Sequence, residues 1–441
     1  MTDQPVGVFR VGIVGAGPAG LATAAALLEG APGRVRIDLF DRRPTPFGLL
    51  RYGVAPDHVS TRQTLLSYAT LFDVPGVRFM GGVSVGTDLT REDLLASYDA
   101  VVYATGAPAD RLLDVPGESL PGVRSGRGFA EWCAGNPEAP AFDLSGVFNA
   151  VIVGLGDVAM DLARLLLKDP AQFRATDMPR EVLEHLRSHR VRDVTILVRR
   201  GPGDCQLKAP DLTELLNLPG VAVRFDRAAL NVDESRLTSK AAKALPIWRA
   251  AATREILGAK ARLRVRFWTR PLEMRGLDHI DGVRTERTML DRAGRLVSAG
   301  GDDMIPAQLV LRATGARGLP IRDVPFDARR GVIPTASHRV MDAAGIIQPG
   351  EYAVGWIANG WVGGFGTMAR SGQAVAEQVL ADLGRHSASV DAILASRGVR
   401  AVGIDGWRRI EEAEHVLGVA QEAERIKITD PATLTQLARD E

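Results

Sequence analysis

Two glycine-rich stretches carry the residues best able to do chemistry in this chain. The first, "VGIVGAGPAGLATAAALL", places Gly15, Gly17 and Gly20 around Pro18 and Ala19. Gly15 permits a tight turn, Gly17 leaves room for a pyrophosphate, and Gly20 lets helix and strand pack closely. The helix N-terminus that follows offers free N–H groups and a positive dipole end to a phosphate. Asp41 follows Gly20 at about the 20-residue distance typical of a ribose-binding acid. It would accept hydrogen bonds from a ribose diol and repel a 2′-phosphate, so this turn reads as a site for FAD or NAD rather than NADP. The bland alternative is a turn that serves packing only.

The second stretch, "VIVGLGDVAMD", has Gly154, Gly156 and Ala159. Instead of an acid after its second strand, Arg199 and Arg200 stand there. Two guanidinium groups can grip a 2′-phosphate through paired, charge-assisted hydrogen bonds, which selects NADP(H). Solvated loop arginines are the alternative. A flavin in the first site and NADPH in the second would let hydride pass from nicotinamide to flavin, a step that depends mainly on positioning. Asp157 falls where a phosphate is expected. Either its charge is offset by the helix N-terminus or it is an ordinary helix-start residue.

The surrounding pattern supplies the elements that must hold these turns. Residues 11–14 read as a strand, then a helix of Ala and Leu, then a strand over 35–40 ending at Asp41: a βαβ unit. "DAVVYATGAP" ends a further strand at Ala104, Thr105 and Gly106. The Gly/Pro-rich "DVPGESLPGVRSGRG" reads as a crossing between domains. A second unit begins at Val151, with a helix over 158–168, a helical insert "PREVLEHLRSHR" and a strand over 194–198; "QLVLRATGA" repeats the Ala-Thr-Gly ending at 313–315. Beyond 319 the chain returns through "EYAVGWIANGWVGGFGT" into a helix from Met368, and the charged helical part from Ser387 shows no obvious anchor. The expected fold is α/β: two Rossmann-like, three-layer dinucleotide-binding domains, the NADP domain (109–319) inserted into an FAD domain (1–108 and 320–441, the latter with a C-terminal helical extension).

Bulk properties narrow the function. Among 441 residues there are two cysteines, Cys133 and Cys205, in no CxxC pair, and the net charge is +1. This argues against a disulfide framework, a zinc site, a dithiol redox centre, an internal iron–sulfur cluster and nucleic-acid binding. No metal site is expected. A polar start and the lack of an apolar run long enough for a bilayer point to a cytoplasmic protein with no stable membrane insertion. In "KARLRVRF", Lys260, Arg262, Arg264 and Arg266 alternate with apolar residues, a basic strand face able to steer an acidic protein or simply an exposed strand guarded by charge.

The chain resembles the adrenodoxin-reductase-like ferredoxin–NADP(+) reductases, two-domain FAD enzymes, nearly end to end. The resemblance rests on "GLLRYGVAPDH", "GDVAMDLAR", "RRGP", "GWIANGWVGGFGT" and "GWRRIEEAEHVLG". It implies FAD contacts at Ala19, Asp41, Leu49, Val83, Trp356 and Gly363, Gly364 and Phe365, with Gly363 also near the nicotinamide. It implies NADP contacts at Leu155, Gly156, Asp157, Val158, Arg199, Arg200 and Asp211. His58 and Asp161 resemble polar residues beside the redox centre and, with Trp356, are the candidate catalytic residues. Taken by themselves, His58 also reads as a turn histidine, Asp161 as solvent-facing and Trp356 as core packing. The chain departs from the family pattern at Asp157 (Asn in the family), Asp211 (Glu), and Ala358, Asn359, Trp361 and Val362 (Lys, Arg, Pro and Thr). The resemblance implies an NADPH-oxidising FAD enzyme passing electrons to a ferredoxin-like iron–sulfur protein or a flavodoxin. A flavoenzyme acting on a small molecule or dioxygen, and a dinucleotide sensor without turnover, are the alternatives.

Overall fold

The computed structural model describes residues 8–58, 67–254, 258–360, 365–382 and 389–439. Its first unit is built on a seven-stranded sheet. In spatial order the strands are Thr335–Ala336, Arg339–Met341, Ile347–Ala353, Ala100–Tyr103, Phe9–Val14, Val35–Asp41 and Val77–Gly81. The five from Ile347–Ala353 to Val77–Gly81 run parallel, and an antiparallel pair closes one edge. Val11, Ile13, Ile37, Leu39, Val101 and Val102 have no exposed surface, as parallel strands covered on both faces require. The helices Pro18–Gly30 and Met368–Asp382 cover one face. They approach closely because small residues meet: a Cβ on Gly372 would stand 2.6 Å from the Ala22 carbonyl carbon. The Ala-rich composition of the first helix is thus a packing requirement.

The second unit holds six parallel strands in the order Val123–Ser125, Leu309–Arg312, Asn149–Val153, Asp193–Val198, Ala261–Phe267 and Val221–Phe225. Helices, among them Asp157–Leu167, Arg180–Ser188 and Ala209–Leu216, build the core on one face. On the other lies an antiparallel meander, Thr269–Arg275, Gly282–Leu290 and Leu296–Pro306. Its Met274, Val283 and Ile305 pack on Val151, Val153, Leu197 and Val310. The chain passes between the two sheets through the short antiparallel strands Ala109–Asp110 and Ala316–Arg317. Both units are three-layer, Rossmann-like arrangements. No helix among the described residues is long and apolar enough to cross a membrane.

Two expectations change. The basic strand Ala261–Phe267 is not an exposed strand: it lies inside its sheet, paired on both sides and one place from the edge. Leu263, Val265 and Phe267 are buried as expected, but Arg262 and Arg264 pair with Asp193 at 2.8 and 3.3 Å and Arg266 with Asp303 at 2.6 Å. There is no open edge for these charges to guard, and much of the charge is already partnered. The C-terminal part is also anchored. Leu434 and Ala438 join the first unit's core beside Trp407, and Arg409 donates to the carbonyls of Leu437 and Ala438 at 3.1 and 2.8 Å.

Candidate functional site

The three glycines of the first turn meet three different demands. Gly15 has φ +112°, and a Cβ there would lie 2.5 Å from the Ala104 carbonyl oxygen. A Cβ on Gly20 would lie 2.0 Å from the Gly15 carbonyl oxygen, so close helix–strand contact excludes any side chain. Gly17 is different: a Cβ would find nothing nearer than Gly48 Cα at 3.9 Å. Nothing around it among the described residues demands a glycine, whereas a ligand approaching the helix N-terminus would. The second turn repeats the pattern. Gly154 has φ +116° and abuts the Ala313 carbonyl oxygen (2.4 Å for a Cβ), while a Cβ on Gly156 would meet nothing within 4 Å among the described residues. The duplicated Ala-Thr-Gly endings thereby gain a reason, since each places a carbonyl against the first glycine of its turn.

A cleft of about 550 Å³ opens at the first turn. Gly15, Gly17, Pro18, Ala19, Asp41, Leu49, Val83 and Trp356 all line it. Asp41 accepts from the backbone N–H of Ala16 (3.2 Å) and Arg43 (3.0 Å) and so ties the turn to the second strand. Burial raises its pKa, and Arg43 with these two N–H donors works against that rise. A carboxylate has about four acceptor sites, which leaves capacity for a diol. Gly355, at φ +73°, turns the chain into Trp356, and a Cβ on Gly355 would touch the Ala19 Cβ at 2.8 Å. Trp356 packs on the first unit's core and lines the cleft, so its core and cleft readings hold together. Gly363, Gly364, Trp361 and Val362 lie outside the described residues, and Phe365 opens the short helix Phe365–Thr367. Ala358 packs inward on the first unit's second core, whereas Asn359 is exposed. The far wall comes from the second unit: Arg127, Glu131, Asn136 and Glu138. Glu138 pairs with Arg42 and Arg43 at 2.6 and 2.8 Å. No motif near the turn signals these residues, because only the packing of the two units brings them there.

At the second turn, Leu155, Gly156, Asp157 and Val158 surround the N-terminus of helix Asp157–Leu167. The Asp157 side chain is 56 % exposed, caps nothing, and stands 3.9 Å from the Lys208 ammonium, which is itself 4.0 Å from Asp211. Partial burial raises the Asp157 pKa; Asp211 and Asp161 add to this, and Lys208 and Lys240 oppose it. Arg199 and Arg200 follow strand Asp193–Val198. Their carbonyls are anchored by the Thr288 hydroxyl of the meander (2.7 Å) and by the N–H of Trp268, which precedes the meander (3.2 Å). Arg199 is exposed, and Arg200 reaches Asp204 at 3.3 Å with its side chain 43 % exposed. Backbones held and guanidinium groups outward suit a polyanion.

The two units meet at an ionic cluster. His58 Nε2 lies 2.8 Å from Asp161 Oδ1, and both side chains are mostly, not fully, buried. This hydrogen bond, ahead of an opposing cost of burial, raises the His58 pKa. Arg164, one helical turn after Asp161, approaches Asp161 at 2.7 Å and His58 Nε2 at 2.8 Å, and pairs with Asp57. Lys168 adds a 2.9 Å contact to Asp57. Burial alone would raise the Asp57 pKa, but Arg164 and Lys168 hold it below the usual carboxylate range. Arg164 and Asp57 lie in or beside stretches legible as motifs, yet their partnership spans the two units. Cys133 and Cys205 are buried free thiols, the latter pushed up by burial to about 12.

Two parallel-sheet units, each with a glycine turn between a strand and a helix, define a pyridine-nucleotide oxidoreductase architecture. Residues 9–200 match the family model described as pyridine nucleotide-disulphide oxidoreductase. The chain is 34 % identical to the NADPH-ferredoxin reductase FprA of Mycobacterium tuberculosis, covering 97 % of this chain and 99 % of that protein. It is 34 % identical to the mitochondrial NADPH:adrenodoxin oxidoreductase of Homo sapiens, covering 97 % and 91 %. A solved structure of FprA from Mycobacterium tuberculosis in complex with NADPH matches with a TM-score of 0.91 at 33 % identity, over 98 % of this chain and 100 % of that one. The chain belongs to this family of NADPH-ferredoxin and NADPH:adrenodoxin reductases.

Proposed function

We propose that the protein is an FAD-dependent oxidoreductase that takes hydride from NADPH and delivers electrons to a ferredoxin-like iron–sulfur protein or a flavodoxin. The observation that carries this is the pair Gly17 and Gly156. At the mouth of each turn stands a glycine that no contact with the described residues explains. Bound FAD would accept the hydride and release its electrons singly. Gly15, Gly17, Pro18, Ala19 and Asp41 would hold its pyrophosphate and ribose. Leu49, Val83, Trp356 and the segment 363–365 would enclose the rest. Leu155 to Val158 with Asp211 would receive the nicotinamide nucleotide, and Arg199 and Arg200 its 2′-phosphate. His58 and Asp161 would hold a proton between Nε2 and Oδ1 at the junction of the two sites.

The strand membership of the two sheets supports an FAD domain of 1–108 and 320–441 around an NADP domain of 109–319. Two buried, unpaired thiols fit a reducing, cytoplasmic setting. The test is anaerobic rapid mixing of the purified flavoprotein with NADPH and, separately, NADH. Fast loss of flavin absorbance with NADPH and much slower loss with NADH is expected. Loss with neither would favour a dinucleotide sensor.

Asp157 is the local departure with the clearest electrostatic consequence. A carboxylate at the positive end of helix Asp157–Leu167 occupies the potential a pyrophosphate would use. Asp157→Asn is expected to lower KM for NADPH about 2- to 5-fold with kcat little changed. Steady-state kinetics would check this; an unchanged KM would place the carboxylate outside the reach of the nucleotide.

A further inference from the structure

The segment that carries Leu49 and His58 is held from both sides. Phe47 and Leu50 belong to the first unit's core, whereas Ala55 is buried in the core of the second. At its middle, Arg51 is buried and paired with Glu414 at 2.6 Å. Beside that pair lies Lys427, its side chain 2 % exposed. Its ammonium donates to the Arg51 carbonyl at 2.6 Å and the Ala134 carbonyl at 2.8 Å, and pairs with Asp177 at 2.9 Å. Arg51 belongs to the first unit; Ala134 and Asp177 belong to the second. The next residue, Ile428, packs on the first core and donates its N–H to Glu414 at 3.0 Å. One side chain from the C-terminal segment therefore fastens the two units together.

Stability alone does not require an ion here. Desolvating an ammonium is costly, and an apolar side chain of similar volume often packs as well. An ammonium adds direction: its N–H bonds must point at acceptors, and these acceptors lie on two separate bodies. We infer that Lys427 is a positioning residue, fixing segment 49–58 against the second unit and so setting the approach of the nicotinamide site to the flavin site. If hydride passes between those sites as proposed above, a shift of about 1 Å in their approach is enough to slow it by two orders of magnitude.

The experiment is anaerobic stopped-flow on the FAD-loaded parent, Lys427→Met and Asp177→Asn. In Lys427→Met the limiting rate of flavin reduction at saturating NADPH should fall at least about 10-fold, and in Asp177→Asn about 3-fold. The dissociation constant for NADP+ and the rate of photochemical flavin reduction, which need no contact between the sites, should stay unchanged. A protein that is merely less stable keeps the parent's limiting rate in those molecules that hold flavin, and that result overturns the role. Should Lys427→Met fail to retain FAD, Asp177→Asn decides, and a parental limiting rate in it overturns the role equally. A parent that NADPH does not reduce would overturn the proposed function and this role with it.

Discussion

Gly17→Val yields a folded protein without flavin. The backbone at Gly17 is extended (φ −86°, ψ −175°), a conformation valine adopts readily, and among the described residues beyond its own turn the nearest atom to the new Cβ is Gly48 Cα at 3.9 Å. Folding therefore loses little. The branched side chain instead occupies the approach to the first free N–H groups of helix Pro18–Gly30, where a pyrophosphate would be bound. Hydrogen bonds to a charged group contribute about 1.5–3 kcal/mol each, so losing two of them weakens FAD binding by at least about 100-fold. Flavin absorbance per mole of protein and a thermal melt decide the outcome together. A yellow variant would remove the pyrophosphate from this turn. Gly20→Val is the contrasting change, because its Cβ would lie 2.0 Å from a backbone oxygen and the helix could not seat at all.

Replacing Arg199 and Arg200 with serine converts the enzyme from NADPH to non-selective use of nicotinamide nucleotides. Neither side chain is buried and their backbones are held by Thr288 and Trp268, so the substitution leaves the fold intact. Each guanidinium lost should raise KM for NADPH roughly 10- to 100-fold. NADH lacks the 2′-phosphate, so its KM should barely move and kcat should persist with either nucleotide. Steady-state kinetics with both nucleotides measure the ratio. An equal rise for NADH and NADPH would show that the arginines support the site generally and do not read the phosphate.

Much of this site is legible in the chain because it is local. A tight turn, a helix start and an acid or arginine pair at the end of the next strand lie within a single βαβ unit, so spacing alone carries their chemistry. The elements around Val11, Val151, Val194 and Met368 emerged close to where periodicity placed them. The meander 269–306 did not, because its strands cover a sheet face rather than follow a turn signal. The basic strand was legible as a strand but not as one paired on both sides, since strand order depends on pairing between distant segments.

The residues alone therefore determined two dinucleotide turns, the acid at 41, the arginine pair at 199 and 200, and a chain that leaves its first sheet and returns to it. Those features follow from backbone sterics and from charges a few residues apart. Only the tertiary structure supplied the atoms that the first glycine of each turn meets, the Ala104 and Ala313 carbonyls contributed by strands far along the chain. Only it joined His58 to Asp161 and Asp57 to Arg164, raised the far wall of the cleft from 127, 131, 136 and 138, and drew Lys427 between the two units. Such contacts link positions hundreds of residues apart, and they form where two separately packed cores meet.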